Sequence, residues 1–296
     1  MNSDIPIVIL MYFVVANAMI LVNSYLINTL GFKFHYILLF IQYSITFWFM
    51  LFTTKRSSHQ NLNYKHALVW FHVGLLNVIT IYSGSKAIEY FDMGILSVFR
   101  SLSLVIAALA NYLFFGNKTS KTTLFSFALI IFSSALAANN LSNSIQPNKL
   151  YWVIINCFAG VAYITCAKHT SRILSFDSID VVYYNSALSS PILLVLAACF
   201  ENAENFVAYT EHHTNILYVV LIIYLSSILA TVVSIVMAQS MLVTSVATYL
   251  IITLSNRILS IIGSCIVSIE RPANLLYLVT SALGILLYMH EVQQPK

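Results

Sequence analysis

Apolar runs of about twenty residues recur along almost the whole chain, separated by short polar stretches. A membrane-crossing helix needs roughly 20 apolar residues. The pattern predicts ten such spans, at 5–29, 36–53, 67–86, 93–115, 122–138, 150–167, 180–200, 216–238, 243–266 and 274–290. The two longest polar stretches, 53–66 and 201–215, are too short to fold alone and read as loops. The opening MNSDIPIVIL has neither a basic stretch nor a small-residue cleavage site, so it reads as the start of the first span. The expected fold class is an all-α polytopic membrane protein with ten transmembrane helices, one membrane domain over 1–296.

Composition strengthens this picture. Of 296 residues, 59% are hydrophobic and only 8% charged, where a soluble domain carries about 25% charge. A mean hydropathy of +0.85 leaves too much apolar surface for a protein core alone to hide. About ten helices use roughly 200 residues, which leaves no room for a soluble catalytic domain. The chemistry must therefore lie among the helices. Cys157, Cys166, Cys199 and Cys265 sit in apolar runs without metal or disulfide spacing, and read as small hydrophobes. The net charge of +4 is too sparse for a nucleic-acid surface.

The few charges set orientation. With the N-terminus placed in the cytosol, the cytosolic connections hold Lys55, Arg56, Lys65, Lys118, Lys121, Lys168 and Arg172, with Lys296 in the tail. The opposite side keeps only Lys33, Lys149 and Arg271, beside Glu89, Asp92, Glu201, Glu204, Glu211 and Glu270. That basic excess, and an even number of spans, predict both termini in the cytosol. Of two glycosylation sequons, at Asn117 and Asn140, only the second falls on the non-cytosolic side.

Two charges stand apart. Arg100 in span 4 opens Arg-Ser-Leu-Ser-Leu-Val, and Arg257 in span 9 opens Arg-Ile-Leu-Ser-Ile-Ile, 157 residues further on. Each arginine interrupts the fourth span of its half. Five spans per half, about 1–148 and 149–296, require the second half to be inserted upside down, an inverted repeat recurrent among secondary transporters. An arginine within a span costs at least about 2.5 kcal/mol and faces the bundle interior or a wet cavity. Lys86 ends span 3 close by. No Asp or Glu lies well inside any span, so such a cavity is net positive, its substrate anionic, and exchange of anions fits better than a carboxylate proton relay. The structural alternative is that the arginines hold the bundle together through backbone carbonyls at a helix break.

Polar residues in other spans supply further candidates. Span 7 opens with Tyr183, Tyr184, Asn185 and Ser186, followed by Pro191. An amide beside tyrosines suits a purine, the rings stacking while the amide reads the base edge; helix–helix glue is the equal alternative. In span 9, Tyr249, Thr253 and Asn256 fall on about one helical face, next to Arg257. Tyr12 and Asn23 in span 1 and Ser234 in span 8 are weaker candidates.

Across nearly its whole length the chain resembles the nucleotide-sugar transporters of the drug/metabolite transporter superfamily, most of all the fungal-type GDP-mannose transporters. NSYLINTLGFKFHYILLFIQ (23–42) and SKAIEYFDMGILSVFRSL (85–102) resemble the family's stretches after its first helix and across its third and fourth, where the family has a lysine in place of Arg100. Tyr183-Tyr184-Asn185-Ser186 stands where that family carries FYNN, associated with guanine. Thr253-Leu254-Ser255-Asn256-Arg257 stands where it carries GALNK, associated with sugar and phosphate. Thr253 and Leu254 replace the small Gly-Ala pair, and Met237 stands where a serine is expected.

The resemblance implies an antiporter of the Golgi membrane (or of the ER or vesicles) importing a nucleotide sugar, foremost GDP-mannose, in exchange for the nucleoside monophosphate. It implies that Asn185 and Ser186 read the base, with Tyr12 or Tyr184 packed on it and Ser234 nearby. Tyr249, Asn256 and Arg257 would hold phosphates and sugar, and Arg100 or Lys86 would add positive potential. The expected partners are the nucleotide sugar, the nucleoside monophosphate and membrane lipids, with a homodimer allowed and no nucleic acid. No cofactor, metal or catalytic residue is called for. Rival readings are a GDP-fucose, other nucleotide-sugar or triose-phosphate carrier. An intramembrane glycosyltransferase would need a carboxylate, histidine pair or metal cluster that the spans do not offer.

Overall fold

A computed structural model describes residues 5–53, 64–115, 120–141, 149–212, 215–243, 253, 256–258, 261 and 272–293. All the regular structure in these residues is helical. In chain order the helices are α1 (Ile5–Ser24), α2 (His35–Thr53), α3 (Tyr64–Tyr90), α4 (Met93–Arg100), α5 (Leu102–Phe115), α6 (Lys121–Leu141), α7 (Leu150–Leu174), α8 (Ser178–Phe200), α9 (Ala203–His212), α10 (Ile216–Val243) and α11 (Pro272–Gln293). A π-helical turn at Tyr25–Thr29 continues α1, and Gly31, at φ 69°, takes the left-handed conformation that lets the chain reverse into α2. Seven helices among the described residues are long and apolar enough to cross a membrane, and shorter apolar stretches cover Met93–Leu109, across α4 and α5, and Leu276–Glu291.

The polarity of these helices is the reverse of that in a soluble protein. On α10, Leu217, Val220, Leu221, Tyr224, Leu225 and Ile228 are exposed, three or four residues apart, while Ser226, Ser227, Thr231 and Ser240 are buried. An apolar outer stripe with hydroxyls inside suits a lipid solvent and not water. The buried hydroxyls turn back on their own helix, as Ser227 does to the Ile223 carbonyl at 2.7 Å, or join a neighbour.

The chain divides into two compact units. Unit one holds residues 1–89 and 162–243, and unit two holds residues 90–161 and 244–296. Each draws helices from both halves of the sequence, and α7 passes from one unit to the other. In unit one, α1, α2 and α10 are joined by Gln42, whose Nε2 donates to Asn23 Oδ1 at 3.2 Å and Ser226 Oγ at 2.7 Å. One turn on, Thr46 and Thr231 hydroxyls meet at 2.8 Å. Asn77 of α3 donates to Ser189 of α8 at 3.0 Å, and Ser44 of α2 meets Ser190 of α8 at 2.8 Å. In unit two, α6 and α11 pack at Gly284, where an added Cβ would lie 2.9 Å from Ile130 Cγ1 and 3.1 Å from the Ser126 carbonyl oxygen. Small residues of this kind let membrane helices approach closely.

Beyond longer C-terminal ends of α7 and α10, three features depart from the expected pattern. The stretch 201–215 is not all loop: α9 occupies Ala203–His212, its Phe206 and Tyr209 rings packed edge-on against Phe32 and Phe34. The Tyr209 hydroxyl donates to the Leu30 carbonyl at 2.8 Å. Aromatic anchoring thus gives a ten-residue polar helix the support it lacks alone. The span expected at 93–115 is broken at Ser101 into α4 and α5. Finally, α3 continues to Tyr90, beyond the expected end at 86, and carries Glu89 with it.

Glu201, just after α8, caps α2: its two carboxylate oxygens accept from the backbone N–H groups of Tyr36 (2.7 Å) and Ile37 (3.0 Å). Burial pushes its carboxyl above the ordinary carboxylate value, and those N–H groups and Lys86 pull the other way without cancelling the effect. A raised folded value means that the folded state binds the proton more tightly, so this group's contribution to stability falls as pH rises from the ordinary carboxylate value through the raised one.

Two outcomes test this description. Gly284→Val should lower the stability of the detergent-solubilised protein by about 1–3 kcal/mol through overpacking at Ile130 and Ser126, seen as a fall in Tm. Glu201→Gln should flatten the fall of Tm that sets in as pH rises above the ordinary carboxylate value, by removing this titration.

Candidate functional site

In unit one, the first turns of α8 carry three of the expected residues. A capping box starts the helix: Asp180 N–H donates to Asp177 Oδ1 at 2.8 Å, and Asp177 N–H to Asp180 Oδ2 at 3.2 Å. Two turns in, the Asn185 amide is gripped from both sides. Trp70 Nε1 of α3 donates to its Oδ1 at 2.8 Å, and its Nδ2 donates to the Tyr163 hydroxyl of α7 at 2.6 Å. Asn185 therefore joins three helices, as the helix-glue alternative required. An amide has two lone pairs and two N–H groups, so one of each stays outside these two bonds.

Its neighbours are committed inward. Ser186 Oγ donates to the Val182 and Tyr183 carbonyls at 2.8 and 3.0 Å, leaving a buried hydroxyl turned onto its own helix. The Tyr184 ring, almost wholly buried, stacks on Phe176 at 4.7 Å, and Tyr183 stacks on Phe47 at 5.6 Å. Tyr12 on α1 is buried with its ring 6.2 Å from Phe13, and Ser234 on α10 is half-buried.

Lys86 belongs to a different group. Its Nζ donates to Glu89 Oε2 at 3.0 Å, and the same carboxylate holds His35 Nε2 at 3.0 Å and Lys33 Nζ at 3.7 Å. His35, buried, has its Nδ1 2.8 Å from Ser85 Oγ. A carboxylate inside the last turn of α3 thus offsets the Lys86 charge, which the shorter expected span did not include.

In unit two, the break at Ser101 and the two arginines form one arrangement. The Leu104 N–H bonds to the Ser101 carbonyl at 3.0 Å instead of reaching back to Arg100. The Arg100 carbonyl, freed by the break, accepts from Arg257 Nη1, which also donates to Ser103 Oγ at 3.0 Å. Cys157 Sγ donates to the Phe99 carbonyl at 3.6 Å. The two arginines are brought together, one guanidinium on the other's backbone, and the Arg100 and Arg257 side chains are half-buried. Asn256, on the helical backbone beside Arg257, is buried. Tyr249, with Thr244, Ser245 and Thr248, lies outside the described residues.

Sequence reasoning missed Trp70, Tyr163, Ser103, Cys157 and Glu89. Trp70 and Tyr163 left a signal, since an indole N–H or phenol within a span needs a polar partner. Ser103 stood in the repeated R-x-L-S pattern itself.

A lipid-facing apolar exterior, hydroxyls inside and a broken helix secured by an arginine define a multi-pass helical membrane protein. No protein-family model matches the chain. It is 28% identical over 288 residues to a GDP-mannose transporter of Komagataella pastoris, covering 93% of this chain and 85% of that one. A GDP-mannose transporter of Scheffersomyces stipitis is 31% identical over 214 residues, 68% of this chain and 65% of that protein. One of Kluyveromyces lactis is 26% identical over 282 residues, 90% and 84% of the two chains. These similarities support a nucleotide-sugar transporter family for the chain.

Arg257→Met should cost about 1–3 kcal/mol of stability without any substrate present, because the partly buried Arg100 carbonyl loses its charged donor. Thermal unfolding in detergent reads this, and Ser103→Ala should cost less.

Proposed function

We propose that the protein is a nucleotide-sugar antiporter that imports GDP-mannose into the Golgi lumen in exchange for GMP. The observation that carries this reading is the similarity to a GDP-mannose transporter over 93% of the chain. The ten-span plan with two inverted five-span halves and both termini in the cytosol goes with it, and alternating exposure of the site follows from such a repeat.

On this reading Asn185 offers its remaining donor and acceptor to the base. Ser186, with its hydroxyl turned inward, contributes less than the sequence suggested, and so does Tyr184, whose ring is already stacked. Arg257, Asn256 and Tyr249 take the phosphates and sugar, a guanidinium being suited to bidentate phosphate contacts. Arg100 adds positive potential, and Lys86, held by Glu89, adds less. Each reorientation then needs a bound anion to offset the arginine charge, which makes exchange obligatory.

The substitutions of FYNN by Tyr183-Tyr184-Asn185-Ser186 and of GALNK by Thr253-Leu254-Ser255-Asn256-Arg257 favour one second reading, a different nucleotide sugar such as GDP-fucose. Exchange in proteoliposomes with a panel of nucleotide sugars separates the two. GDP-mannose should exchange for internal GMP, Arg257→Ala should slow this about tenfold or more, and Asn185→Ala should weaken preference for guanine. Near-normal exchange in both variants overturns the site. Full-rate uptake into vesicles lacking internal nucleotide overturns obligatory exchange.

A further inference from the structure

Asn185 is held by two partners of unlike chemistry. The Tyr163 hydroxyl can donate or accept, so it would tolerate either end of the amide. The Trp70 indole N–H can only donate, so it accepts only the oxygen end. Turning the Asn185 amide over would set an N–H group against the indole N–H, deep among α3, α7 and α8, where Trp70 is 0% exposed and Asn185 8%. Trp70 cannot turn aside easily. Phe176 lies 5.2 Å from its ring and is itself stacked on Tyr184, the residue before Asn185.

The consequence concerns what an amide can read. A primary amide is ambivalent, because its donor and acceptor sit side by side and exchange places on a half-turn. A base with a carbonyl oxygen beside a ring N–H, as in guanine or hypoxanthine, matches one orientation. A base with an amino group beside a bare ring nitrogen, as in adenine, matches the reverse. With the phosphates anchored elsewhere, the base cannot turn over to compensate.

We propose that Trp70 is a specificity-determining positioning residue, which locks the Asn185 amide in one orientation so that the protein takes 6-oxopurine nucleotides and rejects 6-aminopurine ones. This rests on the reading that Asn185 meets the base. The discrimination resides in the 6-oxo edge, so the 2-amino group of guanine is secondary to it.

Competition by GMP, IMP and AMP against nucleotide exchange in proteoliposomes tests the lock. In the wild type IMP should compete close to GMP and about tenfold or more better than AMP, the scale of one buried polar mismatch. IMP competing no better than AMP overturns the proposal without any variant. Trp70→Phe keeps an aromatic ring against Phe176 and removes the donor, and it should shrink the IMP-to-AMP preference about tenfold. Tyr163→Phe removes the partner that accepts either end, and should keep the preference. An unchanged preference in Trp70→Phe, or an equal loss in Tyr163→Phe, overturns the lock. Asn185→Ala separates the two levels. If it leaves the preference intact, the base reading itself falls; if it abolishes the preference while Trp70→Phe does not, only the lock falls.

Discussion

Inside a bilayer a backbone carbonyl has no water to turn to, and every one must find a donor within the protein. That constraint organises unit two. The chain interrupts its fourth expected span at Ser101, and the interruption frees the Arg100 carbonyl. Arg257 answers it, and the Cys157 thiol reaches the Phe99 carbonyl beside it. The arginine's residence in an apolar span, costly in isolation, becomes intelligible because the break supplies its acceptor and it supplies the break's donor.

The same constraint explains how a chain with so little charge gains a defined interior. Lipid is as apolar as leucine, so burying leucine against leucine gives little direction to helix association. Direction comes from hydrogen bonds and from close approach. Gln42, Asn23 and Ser226 tie three helices of unit one at one level, and Thr46 with Thr231 ties two of them a turn away. Where side chains shrink to Gly284, backbone and side chain of α6 come within reach of α11. The outer stripe of α10 needs only to be greasy.

Hydropathy made most of the architecture legible, because span length and apolar content are properties of contiguous residues. The predicted 36–53, 180–200 and 274–290 recur as α2, α8 and α11 with ends shifted by a few residues. What averaging could not see is local. A single serine breaks α4 from α5, and two aromatics convert a polar loop into α9. Glu89 enters α3 because the helix runs one turn past the point where its apolar run fades. The candidate residues were legible as polar intruders in spans, yet their partners were not. Asn185 meets Trp70 across 115 positions of sequence, and Arg257 meets the Arg100 carbonyl across 157. Sequence shows that an intruder needs company; only the fold shows whose.

This distinction bears on how a single amide can choose a base. Two adjacent asparagines, as in the motif that Tyr183–Ser186 resembles, can share the task, each tolerating some ambiguity in the other. Here the second place is Ser186, whose hydroxyl is spent on its own helix. Any reading of a base edge at this point falls mainly on one side chain, and an ambivalent side chain reads nothing unless it is polarised. A neighbour able both to donate and to accept, such as Tyr163, leaves the ambivalence in place. A donor-only neighbour removes it. Losing one asparagine therefore raises the demand on whatever holds the other, and Trp70 is the group with the chemistry to meet that demand.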